Sequence, residues 1–217
     1  MNRMLVSLVV AAPLALTGCG AKDDKAAATG SAPSSSSSAP TEKAKPTADK
    51  TKPAAEQAKP TAAQQAIIDG GSETKWDAQG ISWKLPEGWP KMQVMKESLN
   101  YGSPANGFLI ASISVMPADF PAKISLDATY TSALEQLKQG KYEAVRWLEI
   151  DGVKGVEWIE AMPEDKDGAR RHQWIAFRSY QGQNQQLNVM VSTKGSNFDK
   201  QRDTFTAIMY SMKIPKG

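Results

Sequence analysis

Between Gly20 and Ala66 the chain carries no Val, Ile, Leu, Met, Phe, Trp or Tyr. These 47 residues hold fourteen Ala, seven Lys, six Ser, five Thr and five Pro. Without large apolar side chains, nothing offsets the entropy of ordering, so the segment is expected to stay disordered. Lys45-Pro46-Thr47-Ala48, Lys52-Pro53-Ala54-Ala55 and Lys59-Pro60-Thr61-Ala62 repeat with a period of seven. The repeat has no apolar seam, and Pro recurs where a helix needs an N–H, so it does not encode a coiled coil. It suits a polyproline-rich spacer. Such a spacer spans roughly 40 Å as a coil and approaches about 150 Å when extended.

Folding is therefore left to the last two-thirds of the 217 residues. The net charge of +3 belongs to the leading segments. Residues 67–217 carry thirteen Lys, five Arg and eighteen acids, which cancel. A neutral folded part argues against a nucleic-acid partner, which would need a basic face. The single Cys excludes an internal disulfide and a Cys-based zinc site within the chain, and no metal or cofactor is expected.

That Cys ends a distinctive leader. Arg3 precedes Met4 to Thr17, a mostly apolar stretch of 14 residues. It is shorter than the about 20 residues that span a bilayer, and Pro13 interrupts it. A short cationic start, an apolar run and small residues describe a secretory signal. Leu16-Thr17-Gly18-Cys19 resembles the bacterial lipobox. The resemblance implies a signal peptide over 1–18, with Cys19 as the lipidated first mature residue. Its thiol would carry a diacylglyceryl group, with palmitate-like chains. Two or three acyl chains anchor far more firmly than one. Gly20, where an Asp would favour inner-membrane retention, implies the outer membrane if the cell has one. Otherwise the outer face of the plasma membrane is implied.

Residues 72–217 read as one α+β domain, preceded by the lipidated Cys and tether over 19–71. Thr61 to Asp69 suits a short leading helix. Ile81, Trp83 and Leu85 alternate with Ser82 and Lys84 as in a half-buried strand. Asn106-Gly107 signals a hairpin turn leading into the apolar run Phe108 to Met116. Ser125 is placed as the cap of a helix carrying Leu126, Tyr130, Ala133, Leu134 and Leu137. Asp151-Gly152 predicts a two-residue hairpin that sets Glu149 opposite Lys154, Trp147 opposite Val156, and Arg146 opposite Glu157. A one-residue slip destroys these pairs, which fixes the register. Further strands are expected over 171–180 and through Leu187, Val189 and Val191. A helix bearing Phe198, Phe205, Ile208 and Met209 follows, then a short strand over 211–214. Short turns between strands make the sheet mainly antiparallel, with helices covering it.

Gly80-Ile81-Ser82-Trp83-Lys84-Leu85-Pro86-Glu87-Gly88-Trp89 resembles the opening of PsbP-like domains. Phe205-Thr206-Ala207-Ile208-Met209-Tyr210-Ser211-Met212-Lys213 resembles their closing helix-to-strand segment. The resemblance implies an α-β-α sandwich around an antiparallel sheet. Its common thread is binding or assembly help rather than catalysis, and it transfers no functional residue.

Nucleophile-elbow, Walker A, His-Glu-x-x-His and dinucleotide-binding patterns are missing from the sequence. His172, the only His, reads as a surface or strand-edge residue. Trp83, Trp147, Trp158 and Trp174 occupy alternating strand positions that suit a core. Trp76 and Trp89 lie near turns and are the candidate surface-binding residues. The expectation is a non-enzymatic, lipid-anchored envelope protein whose tethered domain binds a protein partner or assists complex assembly. The alternative is a binder of cell-wall glycan or a small ligand through a Trp-lined cleft; an enzyme is the third reading.

Overall fold

The computed structural model describes residues 53–215. Cys19, the leader and the tether ahead of Pro53 lie outside the described residues. The order of elements is β1 (Glu56–Gln57), α1 (Ala62–Gly70), β2 (Ser72–Trp76), a 3-10 turn (Asp77–Gln79), β3 (Ile81–Leu85), β4 (Lys91–Val94), β5 (Ser98–Ser103) and β6 (Gly107–Met116). Then follow α2 (Ala122–Lys138), β7 (Tyr142–Ile150), β8 (Val153–Glu160), β9 (Ala169–Tyr180), β10 (Gln183–Lys194) and α3 (Gly195–Tyr210). Eight strands form one sheet in the order β1-β7-β8-β9-β10-β6-β5-β4, and β2 and β3 form a separate hairpin. Every pairing is antiparallel except β1 with β7. The expected α+β class, with helices covering a mainly antiparallel sheet, is what the structure shows.

Alternation along the strands divides the interior in two. On one face Leu109, Ala111, Leu148, Ile150, Trp174, Ala176, Leu187, Val189 and Val191 meet Phe198, Phe205, Ile208 and Met209 of α3. The β2–β3 hairpin closes this layer with Trp76, Ile81, Trp83 and Leu85. On the other face Leu126, Tyr130 and Ala133 of α2 cover Trp147, Val156 and Trp158. Tyr130 stacks on Trp147 with ring centroids 4.7 Å apart.

The β7–β8 hairpin has the predicted register, with Arg146 opposite Glu157, Trp147 opposite Val156 and Glu149 opposite Lys154. Asp151 and Gly152 both adopt positive φ, 49° and 83°, as a turn with right-handed strand twist requires. The Lys154 ammonium lies 4.3 Å from the centre of the Trp147 ring.

Three features depart from expectation. The folded unit begins well before residue 72: β1 pairs with Leu148 and Glu149, and the Ala58 N–H donates to the Glu149 carbonyl at 2.9 Å. The expected leading helix is present as α1, where Thr61 and Gln64 form a reciprocal capping box. The Gln64 amide reaches Asp203 of α3 at 2.9 Å. Backbone pairing and capping order this stretch, and neither needs large apolar residues. Helix α2 starts at Ala122 rather than after Ser125, because the Ser125 N–H already bonds to the Pro121 carbonyl. The final strand is reduced to one bridge between Lys213 and Ser82.

Candidate functional site

Neither proposed surface tryptophan is at the surface. Trp76 is 0% exposed and its indole N–H donates to the Met95 carbonyl at 2.7 Å. Trp89 is 7% exposed and meets Phe205 edge-on at 6.1 Å. Both flank turns, but Trp76 stacks on Trp83 of β3 at 6.5 Å inside the layer, and the chain beyond β3 turns Trp89 onto Phe205 of α3. With Trp83, Trp147, Trp158 and Trp174 also buried, all six tryptophans belong to the interior and form no Trp-lined surface cleft.

His172 is not a surface residue either. It is 2% exposed, on the α3 side of β9, in phase with the buried Trp174 and Ala176. Its Nε2 lies 2.7 Å from Oε1 of Glu157, itself 3% exposed. The other Glu157 oxygen accepts from Arg146 Nε. Arg146 donates further to the Tyr210 hydroxyl at the end of α3, and to Glu56 of β1 at 3.0 Å. One network thus ties β1, β7, β8, β9 and α3 together. Burial pushes the Glu157 carboxyl up, but hydrogen bonds and charge from His172 and Arg146 outweigh it and hold the group below its ordinary value of 4.5. Burial, reinforced by the Glu157 charge, pushes the Tyr210 hydroxyl up to about 12. Both carboxylate oxygens are engaged and the phenol stays protonated near neutrality, so the network joins the strands to the end of α3. Alternation relative to Trp174 was the sequence signal that could have placed His172 inside.

A second cluster lies at the other end of α3. Buried Arg170 donates to Asp199 at 3.1 Å, to Glu143, and to the Glu160 carbonyl. Arg202 bridges the same two acids. These bonds hold Glu143 and Asp199 below the usual carboxylate range. Arg178 differs. It is 8% exposed, bonded to Gln79 and Gln185, and has no carboxylate partner among the described residues. Burial lowers its guanidinium to about 10. Among the described residues no group of three or more His, Cys, Asp or Glu side chains is placed to hold a metal ion.

The surface with the clearest binding character is a sheet face. Helix α2 lies over β7, β8 and β9. Beyond it, β10, β6 and β5 keep the same face half exposed. Register puts Asn188 between Ile175 and Ser112, and Met190 beside Ile110, which pairs in turn with Asn100. From Asn184 to Ser192, Phe108 to Met116 and Ser98 to Gly102, no side chain in this phase is charged. The Gln173 amide donates to Asn188 at 2.7 Å, which orients part of the amide array. The result is a surface of amides and hydroxyls around Phe108, Ile110 and Met190.

No family model and no curated protein matches the chain. Its fold is similar to several solved structures. A protein from Bacteroides thetaiotaomicron is 14% identical, with a TM-score of 0.43 over 68% of this chain. The chain spans about half of that protein's length, 49%. The cyanobacterial PsbP protein CyanoP from Synechocystis sp. PCC 6803 is 14% identical, with a TM-score of 0.43 over 67% of this chain and 94% of its own. LpqN of Mycobacterium tuberculosis, a protein involved in cell envelope biogenesis, is 15% identical, with a TM-score of 0.47 over 67% of this chain and 86% of its own.

Proposed function

We propose that the chain is an envelope lipoprotein, held on a membrane through lipid on Cys19, whose folded unit binds a protein partner. The observation that carries the binding role is the uncharged, half-exposed face of β10, β6 and β5. Charged residues are depleted at the centres of protein interfaces, where their desolvation is costly. In a chain with 23% charged residues, a three-strand face without one is suited to be covered by a protein. The same neutrality disfavours a nucleic acid. The anchor and the spacer ahead of Pro53 let the unit search a volume above the lipid, with Gly20 directing it to the outer membrane where the cell has one.

Ile110→Lys and Met190→Lys each place an ammonium on this face, where water still hydrates it in the free protein. Each is expected to lower partner crosslinking in cells by at least about tenfold, as loss of an interface centre does, with the melting temperature nearly unchanged. Undiminished crosslinking by both folded variants would place the partner elsewhere.

The anchor has its own test. Cys19→Ser is expected to abolish metabolic labelling with a fatty-acid analogue, since the chain has no other thiol. Label persisting on the Ser variant removes the lipobox assignment.

A further inference from the structure

The seven-residue repeat is longer than its Lys-Pro core. Asp49-Lys50-Thr51-Lys52-Pro53-Ala54-Ala55 is followed at once by Glu56-Gln57-Ala58-Lys59-Pro60-Thr61-Ala62. Each unit opens with an acid, has a small residue third, Lys-Pro at the fourth and fifth places, and Ala last. The last of the three repeats is the one seated on the folded domain. Glu56 pairs with Arg146 at 3.0 Å, Gln57 is the register partner of Glu149, and the Ala58 N–H bonds to the Glu149 carbonyl at 2.9 Å. With the segment seated, a groove of about 350 Å³ remains open between Glu56, Gln57 and Lys59 on one side and Arg146 and Tyr210 on the other.

What this seat reads is visible from its occupant. Backbone pairing along the β7 edge accepts any extended segment, as strand addition generally does. Specificity comes from Arg146, which selects an acid at the first place, and from the half-buried Ala58 position, which selects a small residue at the third. Gln57 points away from the interior and is exposed, so the second place is free. Asp49-Lys50-Thr51 meets both requirements.

We infer that the β7 edge beside Arg146 is a binding site for extended acid-x-small segments, and that Asp49–Ala55 of the same chain exchanges with Glu56–Ala62 for it. The chain geometry permits the exchange without unfolding α1. In the seated arrangement three residues lead from Ala58 to the Thr61 cap. With Thr51 in the place of Ala58, ten residues cover the same gap, so the excess loops out. Each exchange shortens the tether ahead of the seat by seven residues, up to about 25 Å of contour. Reach would then change in a fixed step while the fold stays intact.

Disulfide trapping in the full chain, with Cys19→Ser as background, tests the exchange. Glu149→Cys is combined in turn with Gln57→Cys, Ala54→Cys or Lys50→Cys. Position 57 reports the seated arrangement and is the positive control. If sequence proximity alone governs trapping, position 54 outruns position 50. Exchange of whole units predicts the reverse, because residue 50 takes the place of residue 57 and residue 54 does not. Glu56→Ala is expected to raise trapping at 50 by about twofold to fivefold, and Asp49→Ala to lower it similarly, the equilibrium worth of an exposed ion pair. Trapping at 50 that stays below trapping at 54, or that ignores both acid substitutions, overturns the inference. So does a product that is a disulfide-linked dimer, which would assign the seat to another copy's segment.

Discussion

Gly155→Ala lowers the stability of the folded unit by about 3 kcal/mol, the upper range for forcing atoms into a filled core. Gly155 sits on β8 between Leu148 of β7 and Ala176 of β9. An added Cβ would stand 2.4 Å from Nε1 and 2.5 Å from Cε2 of Trp174, and 2.6 Å from the Ile175 carbonyl oxygen. None of these neighbours can yield cheaply. Trp174 is fully buried and its indole donates across β8 to the Leu148 carbonyl at 3.2 Å, while the Ile175 oxygen belongs to the sheet. Missing Cβ atoms at 155 let the ring lie over the strand and reach that carbonyl. At roughly 2–4 °C per kcal/mol, the melting temperature falls by about 10 °C. Gly70→Ala, where an added Cβ would meet nothing within 4 Å beyond its own turn of helix, is the control and is expected to be neutral or slightly stabilising. Trp174→Phe relieves the collision with the indole, though not that with the Ile175 carbonyl, so the double variant with Gly155→Ala costs less than the sum of the two single changes. Strict additivity would show that the ring does not rest on Gly155.

Gly155 also shows what the sequence could and could not tell. The β7–β8 register is readable because the pairs Glu149–Lys154, Trp147–Val156 and Arg146–Glu157 depend on it at once, yet the same residues give no sign that Trp174 arrives from a third strand. Strands with a clear apolar phase, such as β3 and β6, announced themselves. Those built from Ser72-Glu73-Thr74-Lys75-Trp76 and Ser98-Leu99-Asn100-Tyr101-Gly102-Ser103 did not, because each offers few apolar residues to the interior. β1 has none, and is held by backbone pairing and by Glu56 on Arg146. The candidate surface was hidden for a related reason. Met190 and Ile110 look like core residues in the sequence. Only the short reach of α2, which stops over β9, leaves them half exposed. Trp76 and Trp89 were misplaced because nearness to a turn says nothing about whether the hairpin folds back over a helix.

His172→Ala is expected to cost about 2–4 kcal/mol, against the near-silent change that a surface histidine would give. It opens space in a filled layer and leaves a buried carboxylate with one partner fewer. Glu157→Gln keeps the shape but removes the charge that Arg146 and His172 face. It should cost about 2 kcal/mol at neutral pH. Replacing both with leucine removes the buried charge together with its imidazole partner, and is expected to cost less than the two single changes together, since a buried polar pair often gains little over apolar packing. The pH dependence has a definite sign. A carboxyl held below its ordinary value of 4.5 contributes stability above that value and loses it as pH falls through the folded one. Stability of the parent protein should therefore decline on acidification below about pH 4.5, and Glu157→Gln should flatten that decline. Glu143 and Asp199, also held low, keep part of the slope in the variant. Equal slopes in parent and variant would remove Glu157 from the account. The same substitutions separate a clamp from a catalytic dyad. A clamp predicts that partner crosslinking in cells follows the folded fraction of each variant. Loss of function in Glu157→Gln at a temperature where it is fully folded would instead restore the enzyme reading, with His172 and Glu157 at its centre.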